Sequence, residues 1–72
     1  MQNLEYRLKD EFIKLDNLLK LMGISPSGGA AKVLVASGKV SVDGVVELRK
    51  TCKIRAGRTV SVGGVRIAVI GA

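Results

Sequence analysis

Ser27-Gly28-Gly29-Ala30-Ala31-Lys32-Val33-Leu34-Val35-Ala36-Ser37-Gly38-Lys39-Val40-Ser41-Val42-Asp43-Gly44-Val45-Val46 changes its hydrophobic period part-way along. Residues 30–37 are compatible with a helix, and Gly38 stands where a glycine commonly ends one. Beyond it Val40 and Val42 alternate with Lys39, Ser41 and Asp43, the period of a half-buried strand. Asp43-Gly44 supplies residues that tolerate positive φ in a tight hairpin, and Val45-Val46 begins the return. A short helix leading straight into a hairpin points to the α+β class.

The flanks agree. Leu15, Leu18, Leu19 and Met22 recur at helical spacing and Gly23 follows, so a first helix is expected over 15–22. Ser25-Pro26-Ser27 makes the turn between the helices. The two should bury a shared aliphatic seam, with Ala30, Ala31, Val33 and Leu34 on the inner face of the second and Lys32 pointing elsewhere. Leu4, Tyr6 and Leu8 alternate with charged residues as in a short strand. Residues 59–62 read as another strand, Gly63-Gly64 as a hairpin turn, and Val65, Ile67 and Val69 as a last strand. Residues 47–53 are too charged for an interior strand and read as an exposed loop. The expected architecture is two short helices packed against a small, mainly antiparallel sheet.

Composition narrows the function. With 72 residues there is room for one domain and one modest core. Tyr6 and Phe12 are the only aromatic residues, too few for the stacking surfaces that read splayed-out bases. The net charge is +6, and it is unevenly placed. Charges cancel over residues 1–26, whereas residues 27–72 carry eight basic groups against Asp43 and Glu47, a field that attracts polyanions. A single cysteine, Cys52, and no histidine leave no internal disulfide and no Cys/His metal site. Without a histidine or a gathered set of carboxylates, neither catalysis nor a cofactor is expected. Cys52 reads as a small, partly buried apolar side chain, although the adjacent Lys53 is placed to lower its pKa. No apolar run approaches the roughly 18 residues of a membrane span and no secretory signal is visible, so a cytoplasmic protein is expected.

Two places can hold phosphate. At Ser27-Gly28-Gly29-Ala30 a helix N-terminus offers unpaired N–H groups, glycines without Cβ atoms and Lys32 within one turn. The alternative there is that Ser27 caps the helix and the glycines serve the turn. The spacing is not that of a P-loop. The second place is the run Arg49, Lys50, Lys53, Arg55 and Arg58, five basic groups within ten residues with only Glu47 nearby to offset them.

Taken in order, Leu15-Asp16-x-x-Leu19, Gly23, Ser27-Gly28-Gly29-Ala30-x-Lys32, Gly38-Lys39-Val40-x-Val42-Asp43-Gly44, Arg49-x-x-x-Lys53 and Gly57-x-x-Val60 resemble the S-four RNA-binding domain with its alpha-L motif, from about residue 13 to residue 62. More narrowly, Ser27 to Lys32 and Val42 to Ile54 look like the small stand-alone YbcJ-type bacterial proteins. The resemblance implies an RNA-binding face at Lys14, Ser27, Gly28, Gly29, Lys32, Asp43, Gly44, Arg49, Lys50 and Lys53, with Arg55 and Arg58 as additional phosphate contacts. Two positions depart from it: Gly28 stands where the family often has Arg, and Asp43 where it has Asn. The first removes a charge from the helix N-terminus, and the second places a carboxylate that repels phosphate.

The expectation is a monomeric, non-catalytic protein docking on structured RNA, ribosomal or transfer, through backbone and shape. The alternative is an adaptor that binds an acidic partner on a ribosome or RNA-processing complex through the same loop. Membrane attachment ranks last, because the first helix carries Asp16 and Asn17 and the second is short.

Overall fold

The computed structural model describes residues 2–71. In chain order the elements are β1 (Gln2–Arg7), β2 (Phe12–Lys14), α1 (Leu15–Leu21), α2 (Gly28–Ala36), β3 (Val40–Val42), β4 (Val45–Val46), β5 (Lys53–Arg55), β6 (Thr59–Val62) and β7 (Val65–Ile70). Five strands form one sheet in the order β1-β7-β6-β3-β4, and β2 and β5 form a separate two-stranded ribbon. All strand pairs are antiparallel except β1 with β7. The architecture is therefore α+β, with two helices and a mostly antiparallel sheet.

Alternation explains the sheet. Val60, Val62, Ile67 and Val69 are buried on one face of β6 and β7, where Leu15, Leu18 and Leu19 of α1 join them in a single core with Ala31, Val35 and Ile54. Burying each such aliphatic side chain contributes about 1.5–3 kcal/mol. Asp43 (φ 51°) and Gly44 (φ 84°) adopt the two left-handed positions of a type I′ turn, as their sequence requires.

Helix α2 begins at Gly28, two residues before the expected start, because the Ser27 hydroxyl accepts from the Ala30 N–H at 3.1 Å and caps it. Its inner face also differs from expectation. Ala31 and Val35, one helical turn apart, are buried, whereas Val33 lands on the opposite side and is 70% exposed.

The larger correction concerns the charged segment. Lys53 belongs to β5, and Lys53–Arg55 pairs with Phe12–Lys14, so the expected loop ends in a strand. Neither three-residue strand is long enough to show a period; their pairing across 41 positions in the chain creates both.

Candidate nucleic-acid interface

The ribbon organises the cations. Ile13 and Ile54 lie opposite each other and point into the core, which turns Phe12, Lys14, Lys53 and Arg55 to the other face. Lys14 is directly opposite Lys53. The Leu15 N–H donates to the Cys52 carbonyl at 2.9 Å, so the next pair inward, Lys14 with Lys53, occupies a non-hydrogen-bonded position, where side chains approach most closely. Like charges directly opposite are destabilising, and no acidic side chain forms an ion pair with either lysine among the described residues. The Phe12 ring holds the neighbouring cations, with Lys53 Nζ 5.0 Å and Arg55 Cζ 5.7 Å from its centroid.

The segment before β5 is fixed to α1. Lys14 occupies the N-cap position without a side-chain cap, and the first helical N–H groups are satisfied from outside instead. Leu15 donates to Cys52 as described, and Asp16 donates to the Lys50 carbonyl at 3.0 Å. The turn carrying Lys50 is thus held against the start of α1 beside Lys14.

Two of the expected phosphate contacts are engaged within the protein. Arg49 makes a bidentate pair with Glu47, Nε to Oε2 and Nη2 to Oε1, both at 3.1 Å. Hydrogen bonds from the Arg49 guanidinium and backbone hold the Glu47 carboxyl at about 2, well below its ordinary value. Arg58 donates to Asp43 Oδ2 at 2.8 Å, while Asp43 Oδ1 accepts from the Thr59 N–H at 2.9 Å. These bonds lower the Asp43 pKa. Both Asp43 oxygens therefore serve the hairpin, and the charge run is better compensated than its sequence suggests. Arg55 lies only at the limit of pairing with Glu11, 4.0 Å away.

Cys52 is half-buried, and burial, followed by a hydrogen bond with Glu47, pushes its thiol up. The cation that opposes this rise is Arg49, whose Nη2 lies 3.7 Å from Sγ, and not the expected Lys53, so Cys52 is a half-buried thiol beside the Glu47–Arg49 pair.

At α2, Gly28 and Gly29 have ordinary negative φ, and a Cβ at either would meet nothing closer than Ser27 Oγ at 3.9 Å. The turn does not require glycine at these positions. With Ser27 serving Ala30, the Gly28 and Gly29 N–H groups remain at the open end of the helix, and Lys32 is exposed one turn on. Among the described residues, no hydrogen bond or ion pair joins this end to the Lys50 turn.

A family model for the S4 domain matches residues 6–70. The chain belongs to the S4 domain family. YbcJ of Escherichia coli strain K12 is 52% identical over 62 residues, covering 86% of this chain and 89% of that protein, and YbcJ of Shigella flexneri matches equally. The solution structure of Escherichia coli YbcJ, described as revealing an alpha-L motif involved in RNA binding, superposes with a TM-score of 0.68 at 47% identity, covering 97% of this chain and 87% of that one.

In this S4 domain the expected residues fall into three groups. Lys14, Lys50 and Lys53 are brought together by the ribbon and the start of α1. Asp43, Arg49 and Arg58 border one groove with Lys53, beside the Gly44 turn. Ser27, Gly28, Gly29 and Lys32 stand at the end of α2. Sequence reasoning missed Phe12, whose signal was the matched pattern of Phe12-Ile13-Lys14 and Lys53-Ile54-Arg55, one isoleucine between two outward residues in each. No group of three or more His, Cys, Asp or Glu side chains suited to a metal occurs among the described residues. Among the described residues, no helix is long and apolar enough to cross a membrane.

Proposed function

We propose that this S4 domain is a non-catalytic RNA-binding module that docks on structured RNA, ribosomal or transfer, through phosphate contacts from Lys14, Lys50, Lys53 and Arg55, with the α2 end and Lys32 as a second seat. The supporting observation is the placement of Lys14 directly opposite Lys53 across the ribbon, with neither in an ion pair among the described residues. The family membership and the description of YbcJ point the same way. Arg49 contributes the donors left free by Glu47, and Asp43 and Gly44 set the hairpin that aims Arg58. The test is a titration of ribosomal and transfer RNA fragments with wild type and with Arg49→Ala/Lys50→Ala/Lys53→Ala, folding being checked by circular dichroism. Salt-sensitive binding lost in the folded variant is the expected result. Binding indifferent to the triple change overturns the assignment of the face.

A second reading, an adaptor for an acidic protein of a ribosome or RNA-processing complex, draws on Val45, Val46 and Leu48, which are 71%, 56% and 61% exposed next to Arg49. Retention of a purified acidic partner after nuclease treatment is the result that favours it.

A further inference from the structure

The two aromatic residues of the chain, dispersed in sequence among charged neighbours, border the same open cleft. Tyr6 comes from β1 and Phe12 from β2; Lys9 and Lys14 border the cleft with them, and Asn17 of α1 borders it as well. The cleft holds about 520 Å³, and Asp10 is its one acidic residue. Tyr6 packs on the core and is fixed by it. Phe12 faces away from the core on the outer side of the ribbon, with Lys53 and Arg55 over its ring.

We propose that this cleft receives one unpaired nucleotide of the bound RNA, its base beside Phe12 and Tyr6 and its phosphate on Lys14, the residue the cleft shares with the basic face. The inference rests on the RNA-binding reading above and adds the kind of RNA: a helix interrupted by a bulged or looped-out residue. Each part of a nucleotide has a counterpart. Aromatic faces suit any base. The exposed Asn17 amide offers two donors and one acceptor to a base edge. Lys14, which forms no ion pair among the described residues, suits the phosphate. Lys14 belongs both to the cleft and to the basic face, so a strand running over that face delivers a nucleotide here. An acidic peptide would use the lysines but has no planar group to set beside Tyr6 and Phe12 in the cleft.

The sequence supplies a built-in reporter. There is no tryptophan and Tyr6 is the sole tyrosine, so the protein's tyrosine fluorescence comes from this cleft alone. The experiment compares an RNA hairpin carrying one bulged adenosine with the same hairpin fully paired, following both affinity and Tyr6 emission. The bulged form is expected to bind at least about 5-fold tighter, the lower end of what one base–aromatic stack contributes, and it alone should quench Tyr6. Phe12→Leu, which keeps an apolar side chain on the ribbon, and Asn17→Ala, an exposed change on α1, should each bring the ratio of the two affinities towards one.

Equal affinities with unchanged Tyr6 emission overturn the nucleotide seat while leaving RNA binding by the basic face intact. A preference for the bulge that survives Phe12→Leu also overturns it. Failure of both hairpins to bind removes the RNA-binding reading and this one together. Quenching by adenosine monophosphate at the concentration at which the RNA saturates would reassign the cleft to a free nucleotide, and quenching by polyaspartate would reassign it to an acidic chain; either result overturns the proposal.

Discussion

Gly29 shows how a single residue separates folding from binding. Its φ is one any residue adopts and a Cβ there has room, so glycine in the first turn of α2 costs stability without serving the backbone. Gly29→Ala should raise stability by about 0.5–1 kcal/mol, visible in thermal melts as a few degrees. The same methyl group stands where a phosphate would approach the helix end, so RNA affinity should fall as stability rises. Unchanged affinity would remove α2 from the interface and leave Ser27 as a cap alone. Glu47 separates charge from geometry in a similar way. Its folded pKa, about 2, lies below its ordinary 4.5, so the pair with Arg49 stabilises the fold fully above pH 4.5 and is lost as pH falls through about 2. The Glu47 carboxyl resonance followed by NMR should titrate near that lower value, and in Arg49→Ala it should return towards 4.5. At neutral pH, Arg49 is therefore held by a charged partner.

Among the elements, the β2–β5 ribbon carries most of the proposed interface and was the part hidden from sequence reading. The helices, the Asp43-Gly44 hairpin and the β6–β7 hairpin were legible because each is encoded locally, by period or by turn residues. Residues 12–14 and 53–55 hold one apolar residue each between outward ones, and only the burial of Ile13 beside Ile54 makes them strands. The run of basic residues from Arg49 to Arg58 was visible for the same local reason, but its compensation by Glu47 and Asp43 depends on how the chain turns. Ile54 is the pin of this element, at 1% exposure. Ile54→Ala should cost about 2–5 kcal/mol, and Ile54→Val about 0.5–1.5 kcal/mol. In the milder variant, amide hydrogen exchange should quicken first at Leu15 and Asp16, whose N–H groups depend on the Cys52 and Lys50 carbonyls. Uniform acceleration across the five-stranded sheet would mean that the ribbon does not open on its own.

At the scale of the whole molecule, the net charge of +6 gives the cationic excess but not where a polyanion meets it. Residues 1–26 sum to zero, and Arg49 and Arg58 are held by Glu47 and Asp43, pairs that the sum already includes. Among the described residues, the cations of the proposed face that are unpaired or loosely paired are Lys14, Lys32, Lys50, Lys53 and Arg55. If each neutralises one phosphate, the slope of log affinity against log salt should be about −4.5 on a duplex, with DNA as the guide, and about −3.5 on a single strand. Removing one of these lysines should lower the magnitude by about 0.9 or 0.7 respectively. Glu47→Gln tests the internal pairing directly. By releasing Arg49 it adds a sixth cation, so the duplex slope should steepen to about −5.4 and the affinity at low salt should rise. A slope insensitive to Glu47→Gln would mean that Arg49 already leaves its partner when RNA binds, making the ion pair a feature of the free protein alone. A flat salt response in the wild type would remove phosphate contact as the basis of recognition.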